Sequence, residues 1–393
     1  MPQDRYDVVI TGGAAIGSAA AYFLTANPDF TGSLAVIEQD PSYQHCATAL
    51  SAASIRHQFS TPENIQMSMF GTQFLRSFGE TLEVDGQHPD PAFHEGGYLF
   101  LATTAGLDVL RENHAIQIRL GADIALLSPQ ALSSRFPWLN TRDIAAGSLG
   151  LSGEGWLDAY GMMQGLRRKA IAQGAKYLSG KVVDVQRNGR RINAVILDDG
   201  RVMECGAMIN AAGTGAAALA GLAGISLPVQ SRKRSVFYVQ CPTALPSCPM
   251  VIDPSGAYFR PEGQGFITGI SPSSDDDPEC DDFDVQYTLF EDLLWPLLAE
   301  RVPAFEALRC GRSWAGHYDM NTMDQNVILG LHPDLDNMYF ANGFSGHGMQ
   351  QSPAVGRALS ELIVYGGYRT LDLNRLGWRR ILEHDPIIEK NVV

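Results

Sequence analysis

The apolar, β-branched run Tyr6-Asp7-Val8-Val9-Ile10 leads almost at once into Gly12-Gly13-Ala14-Ala15-Ile16-Gly17, and this junction constrains the chain more than any other feature. A run this short, bounded by a glycine pair, reads as a buried strand rather than a buried helix. Residues 18–26 continue through alanines, Tyr22, Phe23 and Leu24 as a helix, which Asn27-Pro28-Asp29 stops. A second strand, Ser33-Leu34-Ala35-Val36-Ile37, ends on Glu38. Strand, glycine turn, helix, strand and acid in this order describe a βαβ unit with parallel strands.

The turn reads Gly12-x-Ala14-x-x-Gly17, with alanine at the middle position of the G-x-G-x-x-G pattern. The first glycine makes the tight turn, the middle residue lets backbone approach a pyrophosphate, and the third packs helix on strand. One added methyl at Ala14 is small enough for a backbone shift to absorb. The positive end of the following helix attracts phosphate locally. That local attraction is needed, because 29 Lys+Arg stand against 43 Asp+Glu for a net charge of −14. Glu38 lies twenty-one residues after Gly17, where a carboxylate hydrogen-bonds the ribose of an adenosine and disfavours a 2′-phosphate. The unit is therefore expected to hold a dinucleotide.

The remainder of the 393 residues alternates between α/β and antiparallel pieces. Around Asn188-Gly189 and Asp199-Gly200, short β runs form a three-stranded meander leading into Ala207-Met208-Ile209-Asn210. Strands are expected over 96–102, 232–241, 250–260 and 265–271. Helices are expected after Ser128-Pro129, over 161–173, and over 285–301 with a kink or break at Pro296. The acidic, proline-broken stretch 273–284 reads as a solvated loop. This alternation suits two discontinuous domains: 1–80, 146–228 and 318–393 for the dinucleotide, and 81–145 with 229–317 for a substrate. The acidic charge argues against nucleic acid as a partner. No apolar run approaches the roughly 18 residues of a membrane helix. Six scattered cysteines have no zinc spacing, so no metal is expected, and a cytoplasmic location fits free thiols.

Four segments together resemble the FAD-dependent oxidoreductases of the D-amino-acid oxidase type, which include glycine oxidase, sarcosine oxidase and dimethylglycine dehydrogenase. They are the N-terminal turn with Val36-Ile37-Glu38, the stretch Ala49-Leu50-Ser51-Ala52-Ala53-Ser54-Ile55-Arg56, the meander ending in Ile209-Asn210-Ala211-Ala212-Gly213, and Asn342-Gly343-Phe344-Ser345-Gly346-His347-Gly348-Met349-Gln350. Residues 313–321 with Asp324-Gln325-Asn326 are similar to a branch that includes a mitochondrial FAD protein assisting assembly of respiratory complex I. The resemblance implies an α/β fold: a Rossmann-like FAD-binding domain of the glutathione-reductase type, plus a substrate domain built on an antiparallel sheet.

It also implies roles. Ala14, Ala15, Ile16 and Gly17 would face the pyrophosphate, and Glu38 with Gln39 the adenosine ribose. Leu50, Ser51 and Ala52 would run beside pyrophosphate and flavin, and Ala212-Gly213 beside the ribityl chain. Val182 or Val183 would bond the adenine through its backbone, although in an alternating strand at least one of the two belongs to the core. Gly343, Ser345, Gly346, His347, Gly348, Met349 and Gln350 would bring amides and a helix N-terminus to the flavin N1–O2 edge, where the reduced ring is anionic. His347 reads as structural or as a proton carrier.

Family members oxidise a C–N bond, sometimes C–OH, by hydride transfer to flavin, and most hold a substrate carboxylate with arginine. Arg56 matches the substrate arginine of the sarcosine oxidase branch, its alternative being a brace beside the phosphates. Arg260 is a second candidate, or else a salt-bridge partner of Glu262. Tyr258 matches a pocket tyrosine, or packs the sheet. Three departures stand out: no lysine lies near Ile267, Gln350 replaces another lysine, and His317 replaces the cysteine that holds flavin covalently in that branch. They favour non-covalent FAD and a dehydrogenase acting on a small amino or N-alkylamino acid, with the electron acceptor open. Alternatives are 2-hydroxy acid oxidation on the same scaffold, or a flavoprotein acting mainly as a binding or assembly factor.

Overall fold

A computed structural model describes residues 4–390. Two eight-stranded sheets carry the chain. In the first, strand Asp4–Thr11 lies between Val202–Asn210 and Leu34–Glu38, parallel to both, with Met338–Asn342 and Lys176–Ser179 extending the sheet on either side. Val8 and Ile10 point into one apolar cluster and Val9 into another, so the strand is buried on both faces. This is why its sequence runs apolar without alternating. Helix Ala15–Thr25 crosses one face and packs on the long helix Gly348–Tyr365. The approach is close: a Cβ at Gly356 would stand 2.5 Å from the carbonyl carbon of Ala19.

The meander forms as the turn dipeptides direct, with Gly189 and Gly200 at positive φ, and its third strand runs unbroken over Val202–Asn210. Val182–Asn188 and Arg191–Leu197 attach to the first sheet through that strand.

The second sheet is mostly antiparallel, ordered Arg309–Asn321, Val229–Gln240, Gly265–Gly269, Tyr258–Glu262, Met250–Ile252, Tyr98–Ala102, Ala146–Gly150, Ile124–Leu127. One face, with Leu99, Phe237, Phe259 and Phe266, is covered by the segment from Tyr287 to Arg301. The other carries Tyr98, Phe100, Met250, Ile252 and Tyr258.

Several sequence expectations need correction. The strand expected over 250–260 is two, because Asp253-Pro254-Ser255-Gly256 closes a turn: Gly256 N donates to Asp253 O (2.9 Å), and Ser255 N to Asp253 Oδ1 (2.9 Å). The helix expected over 285–301 begins at Tyr287 and is divided just ahead of Pro296, as expected. Phe290–Leu294 widens into a π-turn ahead of Trp295–Arg301, making room for the ring and its missing N–H. Ala146–Gly150, assigned to the dinucleotide part, pairs with Tyr98–Ala102 and Ile124–Leu127 in the second sheet. Arg309–Asn321 runs straight through the expected 317/318 boundary.

Candidate active site

The glycine turn is a cradle that side chains would fill. Gly12 has φ +97°, and a Cβ there would lie 2.2 Å from Ala211 O. A Cβ at Gly17 would lie 1.8 Å from Gly12 O. Ala14 caps helix Ala15–Thr25 with no side-chain hydrogen bond, and Ala15 N meets Thr48 Oγ1 at 3.3 Å. The carboxylate of Glu38 sits at the mouth of the turn, accepting from Gly13 N (2.8 Å) and Asp40 N (2.8 Å). A side-chain-free cradle, a helix N-terminus and a carboxylate beside them fit the adenosine-diphosphate half of FAD. Gln39 is exposed next to Glu38.

Two loops from distant parts of the chain meet the second sheet. Leu50 O accepts from Trp314 Nε1 (2.9 Å), and Ala52 O from Arg260 Nε (2.9 Å). The loop 343–350 has Gly343, Ser345 and Gly346 at positive φ. Gly346 lies on the Tyr318 ring, where a Cβ would come within 2.6 Å. Asp319 anchors the loop by accepting from Gly343 N (2.8 Å), while its own carbonyl accepts from Ser345 N (3.1 Å). Burial pushes the Asp319 carboxyl up to about 6, and the Gly343 and Phe344 amides pull the other way. His347 begins helix Gly348–Tyr365, with Gly348 and Met349 half-buried behind it.

Against this loop the second sheet presents Tyr98, Tyr258 and Tyr318, with Tyr98 and Tyr318 both close enough to affect the ionisation of Tyr258. Burial raises all three hydroxyls, Tyr98 to about 12, so they are protonated donors at neutral pH. Positive charge surrounds them. Arg56 acts on Tyr98 and Tyr318, Arg260 on Tyr258, and the Arg234 guanidinium carbon stands 5.1 Å from the Tyr318 ring centre.

Arg56 is fully inside the protein, 2% exposed. Its guanidinium donates to Gln58 O, approaches His347 Nε2 (3.2 Å) and lies 3.9 Å from the Phe59 ring centre. His347 is pushed down to about 3, by burial first and then by Arg56, so the neutral imidazole accepts from the guanidinium. Gln350, which stands where the sarcosine oxidase branch carries a lysine, turns its side chain to the protein: Oε1 accepts from the Arg56 amide (2.9 Å) and from Ser68 Oγ (3.3 Å). Arg260 also bonds Pro261 O (2.8 Å) and Glu262 Oε2 (2.5 Å), both through Nη1, so Nε and Nη1 are engaged by the protein.

His317 does not join the tyrosines. It pairs across the strands with Lys233, on the face opposite Tyr318, with its ring edge-on to Phe283 at 4.6 Å. Burial lowers its pKa, and Nε2 is buried without a hydrogen-bond partner among the described residues. Val182 turns into the core and Val183 is exposed. Ala212 and Gly213 are half-buried at the end of the central strand.

Sequence reasoning missed four carboxyl or guanidinium groups here. Glu154 is buried and accepts from His57 N, Gln58 N (3.1 Å) and Gln58 Nε2 (2.8 Å), fixing the segment that follows Arg56. Burial raises it to about 7. Glu389 accepts from Ser60 N (2.6 Å), Ser60 Oγ (2.7 Å) and Thr61 N (3.0 Å) at the start of helix Pro62–Arg76, and its charge acts on Arg56. Arg234 and Asp277 form a bidentate pair at 2.7 and 2.8 Å. Asp277 thus contradicts a wholly solvated 273–284 loop, since strand Val229–Gln240 offers it a guanidinium. No local pattern marks these residues.

The family pattern described as FAD-dependent oxidoreductase matches residues 7–362. The chain is 43% identical over 428 residues to FAD-dependent oxidoreductase domain-containing protein 1 of Xenopus laevis, covering 100% of this chain and 86% of that one. It is 25% identical over 365 residues to glycine oxidase of Geobacillus kaustophilus, covering 91% and 93%. Its fold is similar to that of L-proline dehydrogenase from P. horikoshii, with a TM-score of 0.86 and 24% identity over 98% of this chain and 100% of that one. With its dinucleotide cradle and two-sheet architecture, the chain belongs to the D-amino-acid oxidase family of FAD-dependent oxidoreductases.

Proposed function

We propose that the protein oxidises the C–N bond of a small amino acid or N-alkylamino acid. The observation that carries this reading is the cluster of Tyr98, Tyr258 and Tyr318 among arginines, facing the Gly346 loop. Protonated phenols and fixed positive charge suit a carboxylate, and the apolar neighbours Phe100, Met250 and Ile252 suit a small carbon frame. Glycine oxidase, a relative named for oxidation of an amino acid, supports the substrate class.

Bound FAD supplies the hydride acceptor. The protein's part is to hold the substrate by its carboxylate so that the Cα–H bond faces the Gly343–Gln350 loop, and to keep water out. As C–H and N–H are lost, a C=N bond forms; water then hydrolyses it to a keto acid or aldehyde plus ammonia or amine. Arg56 and His347 act as positioning residues, since the guanidinium fixes the first residue of the helix behind the loop. Non-covalent attachment is favoured because His317, at the position of the flavin-linking cysteine of the sarcosine oxidase branch, turns toward Phe283.

Anaerobic titration of the FAD-loaded protein with amino acids, N-methylamino acids and 2-hydroxy acids tests this. Bleaching of the flavin by an amino substrate, with release of ammonia or amine, is expected. Bleaching by 2-hydroxy acids alone would replace the reading, and no bleaching by any would favour a binding role.

A further inference from the structure

We propose that Arg234 is the carboxylate receptor of this site, and that Asp277 occupies its fork as an internal surrogate until a ligand carboxylate displaces it. The proposal rests on the amino-acid reading for its substrate class and on geometry for its residues.

Arg234 lies on the tyrosine face of strand Val229–Gln240 and is 9% exposed. Its two terminal nitrogens meet the two oxygens of Asp277 at 2.7 and 2.8 Å, the parallel geometry by which a guanidinium recognises a free carboxylate. Nη1 also donates to Lys233 O (2.8 Å). Nε is buried and has no hydrogen-bond partner among the described residues. A pair built only for stability would complete that donor, because a buried donor left unmade is costly. A ligand with a further acceptor can complete it.

Asp277 comes from an unusual place for a buried partner. Asp275, Asp276, Glu279, Asp281, Asp282 and Asp284 around it are exposed, whereas its own side chain is 13% exposed. The segment follows the edge of strand Val229–Gln240, where pairing with Gly265–Gly269 has ended at Phe237. Among the described residues its backbone attachment there is the Arg232–Glu279 bridge, which includes the Cys280 N to Ser231 O bond (3.0 Å). Side chains add the Arg232 guanidinium on Asp277 O, Ser231 Oγ on Cys280 O (2.7 Å), and Lys233 Nζ on Asp282 Oδ1 (2.5 Å). Lifting Asp277 therefore breaks few backbone bonds. Arg56 and Arg260, by contrast, are held by backbone carbonyls of Gln58, Ala52 and Pro261, which cannot leave without disturbing the core.

Removing the surrogate and removing the receptor should act in opposite directions on ligand binding. A structural ion pair would make the two variants alike, since each loses the same contact. The test titrates acetate and benzoate into the FAD-loaded protein and follows the perturbation of flavin absorbance, which needs no turnover. Asp277→Asn and Asp277→Ala should bind carboxylate about threefold or more tighter, and Arg234→Gln about tenfold or more weaker, with Arg234→Lys between Gln and wild type. Melting temperatures followed by flavin release report the folded state of every variant. Shifts in the same direction, no shift in either, or no perturbation of any form by either carboxylate would overturn the proposal. Opposite shifts alongside an amine panel that never bleaches the flavin would reject the substrate class and keep Arg234 as receptor.

Discussion

Gly17 stands so close to Gly12 that a Cβ on it would lie 1.8 Å from the Gly12 carbonyl oxygen, so the first turn of the helix and the end of the first strand interlock through hydrogen atoms alone. Gly17→Ala must push helix and turn apart, an overlap with backbone that costs about 1–3 kcal/mol. Most of that displacement falls on the dinucleotide cradle. The flavin-to-protein ratio after gel filtration should drop steeply. Gly13→Ala is the control: its Cβ would meet the hydroxyl of Tyr43 at 2.9 Å, a side-chain atom that can move. A Gly17→Ala protein that keeps full FAD would sink this account.

A second prediction concerns pH. Burial raises Glu154 from 4.5 to about 7, so between those values the unfolded chain has released this proton while the folded protein still holds it. Stability from this residue is therefore highest below pH 4.5 and is lost as pH rises through about 7. A displacement of that size is on the order of 3 kcal/mol. Glu154→Gln removes the titration, so the stability difference between wild type and variant, measured by denaturant melts, should shift against wild type from pH 5 to pH 8. A difference independent of pH would place the Glu154 proton elsewhere.

The cradle and the meander were legible because their causes are local. Gly12, Gly189 and Gly200 occupy positive φ that the next residue or two demand, and Glu38 follows from the length of one helix and one strand. Glu154 and Asp277 were not legible, since nothing near either in sequence needs a buried carboxylate. Their partners lie 96 and 43 residues away. The acidic run around Asp277 reads correctly as solvated for its neighbours and wrongly for the one residue that a strand turns inward. Arg56 was legible only through its match to the substrate arginine of the sarcosine oxidase branch, and its partner His347 is 291 positions distant. Sequence alone therefore left open whether the guanidinium points at substrate or at protein.

That ambiguity yields a third prediction. Arg56→Ala empties a buried site between Phe59 and His347 and removes the charge acting on Glu389, which should destabilise the protein by about 2–4 kcal/mol and lower FAD occupancy. Arg56→Lys keeps the charge and loses the fork; it should restore FAD occupancy while kcat/KM stays on the order of 30-fold or more below wild type. Visible spectra and steady-state rates on the same preparations check both. If Arg56→Ala keeps its melting temperature and FAD yet loses turnover, Arg56 touches substrate directly and is no brace.

The choice of electron acceptor provides the last prediction. Transfer of one electron to oxygen creates a small anion, which a fixed, unpaired positive charge beside the flavin would stabilise. Among the described residues, no lysine takes the two positions at which the sarcosine oxidase branch carries one. Ile267 is buried across from Arg260, and Gln350 spends its amide oxygen on the Arg56 backbone and Ser68. Arg234 and Arg260 face carboxylates, and Arg56 lies against His347. Reduced protein should accordingly pass electrons to an artificial dye or a quinone much faster than to oxygen, as seen by mixing anaerobically reduced enzyme with each acceptor in a stopped-flow instrument. Replacing Ile267 by lysine returns a cation to that face of the sheet and should raise the oxygen rate selectively, leaving the dye rate near wild type. Equal rates with oxygen and dye in the unmodified protein would mean that one of the paired arginines is exposed to the flavin after all. Asp277→Asn, which loosens the hold on Arg234, would then be the variant in which the oxygen rate rises further.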